Sequence, residues 1–116
     1  MDSGMTHIIY SKLLFANTSF DGCTAWPFIF IRESAKNQPW LEGLIAHEEV
    51  HYQRMAWITP IWLLRYWLSS KFRVAEEVLA YKESVKHGMD IEDAAWWLRK
   101  YGSTLDVAAA KQLLEA

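Results

Sequence analysis

The sequence of 116 residues contains a single cysteine, no run of basic residues and no long apolar segment. The lone Cys23 excludes an internal disulfide and a cysteine-rich zinc cage, which is typical of a reducing compartment or of indifference to redox state. The formal net charge of −2 and the lack of a basic run argue against nucleic acid as a partner.

Targeting and membrane-spanning signals are also missing from the sequence. The start, MDSGMTHIIYSKLLF, lacks the basic residues followed by a long apolar stretch that mark a signal peptide. The most apolar stretch, Ala56 to Leu68, is too short to cross a bilayer and is interrupted by Pro60 and Arg65. We therefore expect a cytoplasmic or otherwise soluble protein without a transmembrane segment.

Hydrophobic and aromatic residues, in contrast, are plentiful. They make up 52% and 15% of the chain, which is enough for one real core and argues against disorder. The length is that of one domain, and we expect residues 1–116 to form it.

The first third of the chain is expected to be β or irregular structure. Residues 6–15 mix β-branched, aromatic and polar side chains, and Phe20 to Thr24 carry the turn signal Asp21-Gly22. The apolar run Trp26 to Arg32 predicts a strand, and Pro27 favours an edge strand or a strand start.

From residue 37 onward the sequence predicts helices. Asn37 or Gln38 is suited to cap the first, Gly88 to stop the third, and Ser103 with Asp106 resembles a capping box that opens the last. The predicted helices span about 39–58, 59–70, 72–87, 90–102 and 103–116. The predicted fold is therefore α+β, with a small N-terminal sheet followed by about five helices.

An HExxH motif lies on the first of these helices. His47 and His51 are four residues apart, so both imidazoles lie on one helix face and reach one ion. Glu48 is placed to act on a water bound to that ion as a general base, the chemistry of a metallohydrolase. The alternative is a chance match on an exposed helix, which the strong helical pattern and the preceding apolar residues disfavour.

Catalytic zinc requires a third protein ligand. Glu77 shares a helical stripe only with apolar and aromatic residues, so its carboxylate is predicted on a buried face, where a charge needs a metal or a partner. Glu76 shares a polar face that looks solvated and is the reserve ligand. The competing interpretation of Glu77 is a buried salt bridge with Arg54 or Arg65.

HEEVH at 47–51 followed by EVLAY at 77–81 resembles the gluzincin metallopeptidases, which combine an HExxH helix with a glutamate helix. The small size is similar to the minigluzincins, the minimal single-domain members of that clan, and more weakly to small phage-encoded HExxH proteins. The resemblance covers about 44–81 and implies one Zn²⁺ held by His47, His51 and Glu77, with a peptide or protein as substrate. It also implies a strand before the active-site helix whose exposed edge pairs with the substrate, a role for Trp26 to Arg32.

The sequence departs from the gluzincin pattern at Tyr81. Many members carry an aspartate four residues after the glutamate ligand, which orients a zinc histidine. Tyr81 stands at that position and would face the site, where its hydroxyl would stabilise an oxyanion. The other interpretation is a core tyrosine with its hydroxyl at the edge.

The predicted second helix is apolar on nearly all sides and rich in tryptophan, with Trp57, Trp62 and Trp67 in or near it. Such a helix is usually buried, but part of it is also suited to contact a partner protein, a second copy or a membrane surface. The sequence thus predicts a zinc endopeptidase. The alternatives are a zinc-stabilised structural or assembly protein, such as a virion component, and a latent protease whose cleft is covered by the C-terminal helix (Thr104 to Glu115) or by a neighbouring copy.

Overall fold

The computed structural model describes residues 7–116 and has the α+β architecture that the sequence predicts. Within that range, three strands precede five α-helices. The strands are β1 (Ile8–Ser11), β2 (Gly22–Ala25) and β3 (Phe28–Arg32), and the helices are α1 (Leu41–Met55), α2 (Thr59–Leu68), α3 (Ser70–Lys86), α4 (Ile91–Leu98) and α5 (Val107–Glu115). Residues 1–6, on which part of the signal-peptide prediction depends, lie outside the described range.

The sheet has the strand order β1-β3-β2, with β1 parallel and β2 antiparallel to β3. The strand predicted within Trp26 to Arg32 is confirmed as β3, and of the two positions that Pro27 favours the strand start fits, since β3 begins at Phe28. The exposed edge expected for this strand is wrong, because β3 is paired on both sides. Pro27 lies in the turn before β3, where it costs no ladder hydrogen bond. The turn predicted at Asp21-Gly22 is also wrong in part, since Gly22 begins the edge strand β2.

Side-chain caps account for three of the helix starts. Ser69, Asp90 and Asp106 each accept a hydrogen bond from the backbone N–H three residues later and so open α3, α4 and α5. The start predicted for the last helix at Ser103 is thus three to four residues too early. Gly88, predicted as the stop of the third helix, has a φ of +106° just after α3 ends.

The first helix is shorter than predicted. Residues Glu33–Asn37 form a separate 3₁₀ turn, so neither Asn37 nor Gln38 caps α1, and the residue before it, Trp40, makes no side-chain cap. At its other end α1 stops at Met55, and a 3₁₀ turn from Ala56 to Ile58 leads into α2. The fourth helix likewise ends at Leu98, and a tighter turn continues to Tyr101 rather than helix to Gly102.

Two apolar clusters flank the α1–α3 pair. Ile29 and Ile31 of the sheet are fully buried against the outer side of α1. Leu98 and the small residues Ala94 and Ala95 of α4 are buried against α3 and α5. Helices α1 and α3 approach closely at Gly43, whose carbonyl oxygen accepts a hydrogen bond of 2.9 Å from Ser84 Oγ. The two helices that carry the predicted ligands therefore pack closely against each other. No helix in residues 7–116 is long and apolar enough to cross a membrane.

Candidate metal centre

The HExxH motif lies in the middle of α1, with its charged and polar side chains turned inward. His47, Glu48 and His51 are all buried. The two imidazole centroids are 4.9 Å apart, as expected for side chains one helical turn apart on the same face. The predicted ligands on α1 are thus aimed at α3 rather than at solvent.

Glu77 completes the cluster from α3. Its Oε1 lies 3.1 Å from His47 Nε2 and its Oε2 lies 3.1 Å from His51 Nε2. One ligand atom from each of the three residues falls within 4.8 Å of the others. This buried group can hold a metal ion, and the sequence-based choice of Glu77 as a neighbour of both histidines agrees with the structure.

The donor set also fits a metal ion. Glu77 Oε1 is buried and lies 3.1 Å from His47 Nε2, yet no group in residues 7–116 completes a hydrogen bond to it. A buried acceptor without a donor is costly unless something else, such as a cation, compensates it. Two imidazoles and one carboxylate are also a ligand set that leaves a tetrahedral ion one open position.

The pKa values of Glu77 and His51 are set by burial and by the charge of their neighbours in the cluster. Burial by itself raises the pKa of Glu77, but the two neighbouring imidazoles outweigh burial and hold that pKa well below its usual range. Burial lowers the pKa of His51, and the carboxylate of Glu77 more than reverses this, so the pKa ends above the ordinary value. The charged carboxylate is therefore the stable form of Glu77 in this site.

Glu76 is not the solvated reserve ligand that the sequence suggested. It is only 2% exposed, and its Oε1 accepts hydrogen bonds from Arg54 Nε at 2.6 Å and from Trp62 Nε1 at 3.0 Å. Helix α2 folds back over this side of α3 and covers it. The pattern of polar and apolar residues within α3 does not predict this cover. The buried salt bridge considered for Glu77 with Arg54 is thus formed by Glu76 instead.

Glu48, the predicted general base, is held by the edge strand. Thr24 Oγ1 of β2 donates a hydrogen bond of 2.8 Å to Glu48 Oε1 and lies 3.1 Å from the backbone oxygen of the same residue. The second carboxylate oxygen, Oε2, faces Gly22, where an added Cβ would lie at 3.1 Å. The carboxylate is therefore fixed on one side and free on the other.

Tyr66 of α2 is a site residue that sequence reasoning missed. Its hydroxyl donates a hydrogen bond of 2.6 Å to Glu77 Oε2. Burial and the negative charge of Glu77 both raise the pKa of Tyr66, so the hydroxyl keeps its proton. Tyr66 thus supports the glutamate from a third helix.

Tyr81 packs directly against the first histidine. Its ring lies edge-on to His47 with centroids 4.2 Å apart, and its side chain is buried. Burial raises the pKa of Tyr81, and the nearby Tyr101 and Glu77 raise it further. Tyr81 is therefore placed beside the centre in its protonated form, and its predicted catalytic role remains a prediction.

A cleft opens the centre to the outside on one side. The cavity is about 610 Å³, within the range typical of small-ligand sites. It reaches His47 and Glu48 at its inner end, and aromatic residues form much of its wall, among them Phe20, Trp40, Tyr81, Trp97 and Tyr101. No lining residue comes from α5, so within the described chain the C-terminal helix does not cover this cleft.

Comparisons of the chain with protein families, curated proteins and solved structures gave no match.

Proposed function

We propose that the chain is a zinc-dependent endopeptidase in which His47, His51 and Glu77 hold the ion and Glu48 is the general base. The observation that carries the proposal is the placement of Glu48. Its carboxylate lies at the inner end of the cleft beside the three-ligand cluster, fixed by Thr24 through one oxygen only. A purely structural zinc site is closed and has no use for a carboxylate held in that way.

Zinc bound by this set would polarise a peptide carbonyl and lower the pKa of a water toward neutrality. Glu48 accepts the proton of the attacking water at Oε2, because Oε1 already receives the Thr24 hydroxyl. The same oxygen then passes the proton to the departing amine. Tyr81, which keeps its proton, is the residue we assign to stabilise negative charge on the carbonyl oxygen.

The substrate strand in this proposal pairs with β2 rather than with Trp26 to Arg32. Strand β3 is central and offers no free edge, whereas β2 has one unpaired edge and contacts α1 through Thr24. An extended peptide could add to this edge of β2 as a further strand, the mode known as strand addition. Such a peptide would run past Glu48.

The test compares two adjacent glutamates of the motif. Glu48→Gln should keep zinc, measured by elemental analysis, while cleavage of a peptide library falls at least about 100-fold. Glu49→Gln is the matched control, because Glu49 is adjacent in sequence but contacts His7 Nε2 at 3.2 Å instead of the cleft. This variant should retain both zinc and cleavage.

Two results would contradict the proposal. Undiminished cleavage by Glu48→Gln would remove the general base from the mechanism. A parent protein that binds zinc, loses much of its thermal stability in chelator and cleaves no peptide would instead favour the zinc-stabilised structural protein.

A further inference from the structure

Helix α2 has an inner face that supports the metal centre and an outer face that nothing in residues 7–116 covers. Trp62 and Tyr66 point inward to Glu76 and Glu77. Ile61, Leu64 and Leu68 follow the spacing i, i+3 and i+7 on the opposite side, and all three are exposed. The sequence-based default that this helix is core is therefore true of only one of its faces.

Tryptophans extend this outer face, which we call the α2 outer face and define as Trp57, Ile61, Leu64, Trp67 and Leu68. Trp57 and Trp67 are 80% and 81% exposed, and Leu68 is 76% exposed. Trp67 and Leu68 lie on α2, and Trp57 lies in the 3₁₀ turn that leads into it. Large apolar side chains exposed close together along the chain mark a site of interaction with a protein or a membrane. Tryptophan is enriched where a protein meets the interface between lipid and water.

The charge around the α2 outer face has one sign. Residues 50–75 carry four of the 12 basic side chains of the protein and none of its 14 acidic ones. Arg54 is neutralised by Glu76, but Arg65, Lys71 and Arg73 form no ion pair with any residue in 7–116. The exposed apolar face is thus bordered by uncompensated positive charge in a protein whose net charge is negative.

From this combination we infer that the α2 outer face docks on the surface of an anionic lipid bilayer. An interfacial helix of this type inserts its aromatic and aliphatic side chains at the headgroup boundary, while flanking arginine and lysine residues attract anionic headgroups. Arg65 and Lys71 are exposed and flank the apolar face. Because no described helix is long enough to cross a bilayer, the contact is one of surface docking.

A second copy of the chain fits this face less well. In a two-fold dimer each patch meets its own copy, so the basic residues of both chains would be brought together. Residues 50–75 contain no carboxylate to neutralise them. An anionic lipid surface supplies that missing charge.

The experiment measures co-sedimentation of the full chain with vesicles of phosphatidylcholine alone or mixed with phosphatidylglycerol. We expect binding to the anionic vesicles, weaker binding to the neutral ones, and loss of binding as salt is raised. Trp67→Gln combined with Leu68→Gln should lower the partition coefficient at least about tenfold, because two apolar side chains no longer enter the interface. Leu13→Gln combined with Leu14→Gln is the matched control, because these two leucines are also adjacent in sequence and exposed. This double variant should not change the partition coefficient.

A second pair of variants tests the charge. Arg65→Gln and Lys71→Gln should each lower partition onto anionic vesicles about fivefold and leave the weak binding to neutral vesicles unchanged. Lys12→Gln and Lys86→Gln, as single variants, each remove one positive charge elsewhere and should have little effect. All the substituted side chains are exposed, so far-UV circular dichroism and the melting temperature should match the parent.

The inference is overturned if the parent binds no vesicles or binds neutral and anionic vesicles equally. It is also overturned if analytical ultracentrifugation shows a dimer that Trp67→Gln with Leu68→Gln dissociates, since the α2 outer face would then belong to a second copy. None of these outcomes depends on peptide cleavage, so they are independent of the proposed enzyme activity.

Discussion

Glu76 and Glu77 are adjacent in sequence and both buried, yet their carboxylates belong to different interactions. Glu76 accepts hydrogen bonds from Arg54 and Trp62, whereas Glu77 lies 3.1 Å from a nitrogen of each motif histidine. The one-residue step rotates the side chain by about 100° around α3, which is enough to exchange one neighbouring helix for another. Two identical carboxylates thus acquire different environments, one of them structural and the other able to hold a metal ion.

Substitution of these two glutamates should separate the two environments. Glu77→Gln should weaken zinc binding more than about 100-fold, because a neutral amide replaces the charged ligand. Glu76→Gln should leave zinc affinity close to that of the parent and lower the free energy of unfolding of the metal-free protein by about 1–3 kcal/mol, since charge-assisted hydrogen bonds are lost. Isothermal titration with zinc and urea unfolding in chelator measure the two quantities. If zinc affinity followed Glu76 instead, the ligand assignment would be wrong.

Tyr66→Phe removes the hydroxyl that supports Glu77 and keeps the aromatic ring. We expect zinc affinity to fall about 10- to 100-fold, the usual effect of removing a partner that orients a metal ligand. Tyr10→Phe, in β1 and away from the centre, is the control for loss of a tyrosine hydroxyl. An unchanged affinity in Tyr66→Phe would mean that Glu77 holds its position without help from α2.

Thr24→Val keeps the shape of the side chain and removes its hydrogen bond to Glu48. If Glu48 is the general base, kcat/KM for peptide cleavage should fall about tenfold while zinc affinity is retained, because only the orientation of the base is lost. Thr24→Ser keeps the hydroxyl and should restore most of the activity. Equal losses in the valine and serine variants would point to packing of the strand rather than to the hydroxyl.

Zinc affinity should depend on pH through His51. The imidazole must be neutral to bind metal, and in the metal-free protein Glu77 raises its pKa above the ordinary 6.5. Proton competition therefore begins at a higher pH than for an ordinary histidine, and zinc affinity should fall as pH is lowered through that raised value.

The stability of the metal-free protein should depend on pH in the opposite direction from zinc affinity. A raised pKa in the folded state means that protonated His51 stabilises the metal-free fold at low pH, and this stabilisation is lost as pH rises through the folded-state pKa. Titrations in buffers of different ionisation enthalpy should detect proton release on zinc binding. His87→Gln, at an exposed histidine beside Glu42, should leave both trends unchanged. A zinc affinity that is flat across neutral pH would contradict this account of His51.

The three residues of the candidate metal centre could be predicted from the sequence because the signals that identify them are local. His47 and His51 are one helical turn apart, and the apolar neighbours of Glu77 along its own helix predict that it is buried. The partners that support the site were not readable in this way. Tyr66 and Thr24 are 11 and 24 residues from the side chains they hold, and their roles depend on how α2 and β2 pack.

Two predictions failed for the same kind of reason. The surface that covers Glu76 is supplied by α2, so no pattern within α3 could have revealed it. The exposed edge expected for Trp26 to Arg32 does not exist because β1 and β2 pair with both edges of β3, whereas the strand start that Pro27 also favoured fits the structure. Local sequence patterns predicted the helices and strands and the direction of their polar side chains. They did not predict which helices and strands pack against each other.

Strand β2 alternates between positions that face α1 and positions that face away. Gly22 and Thr24 contact Glu48, and a Cβ at position 22 would press on that carboxylate and on Leu44 at 3.1 Å. Cys23 and Ala25 are exposed between and after them. In a library that samples every amino acid along this strand, tolerance should therefore rise and fall with a period of two residues. Such a pattern would identify the face of β2 that meets the motif helix without any knowledge of the coordinates.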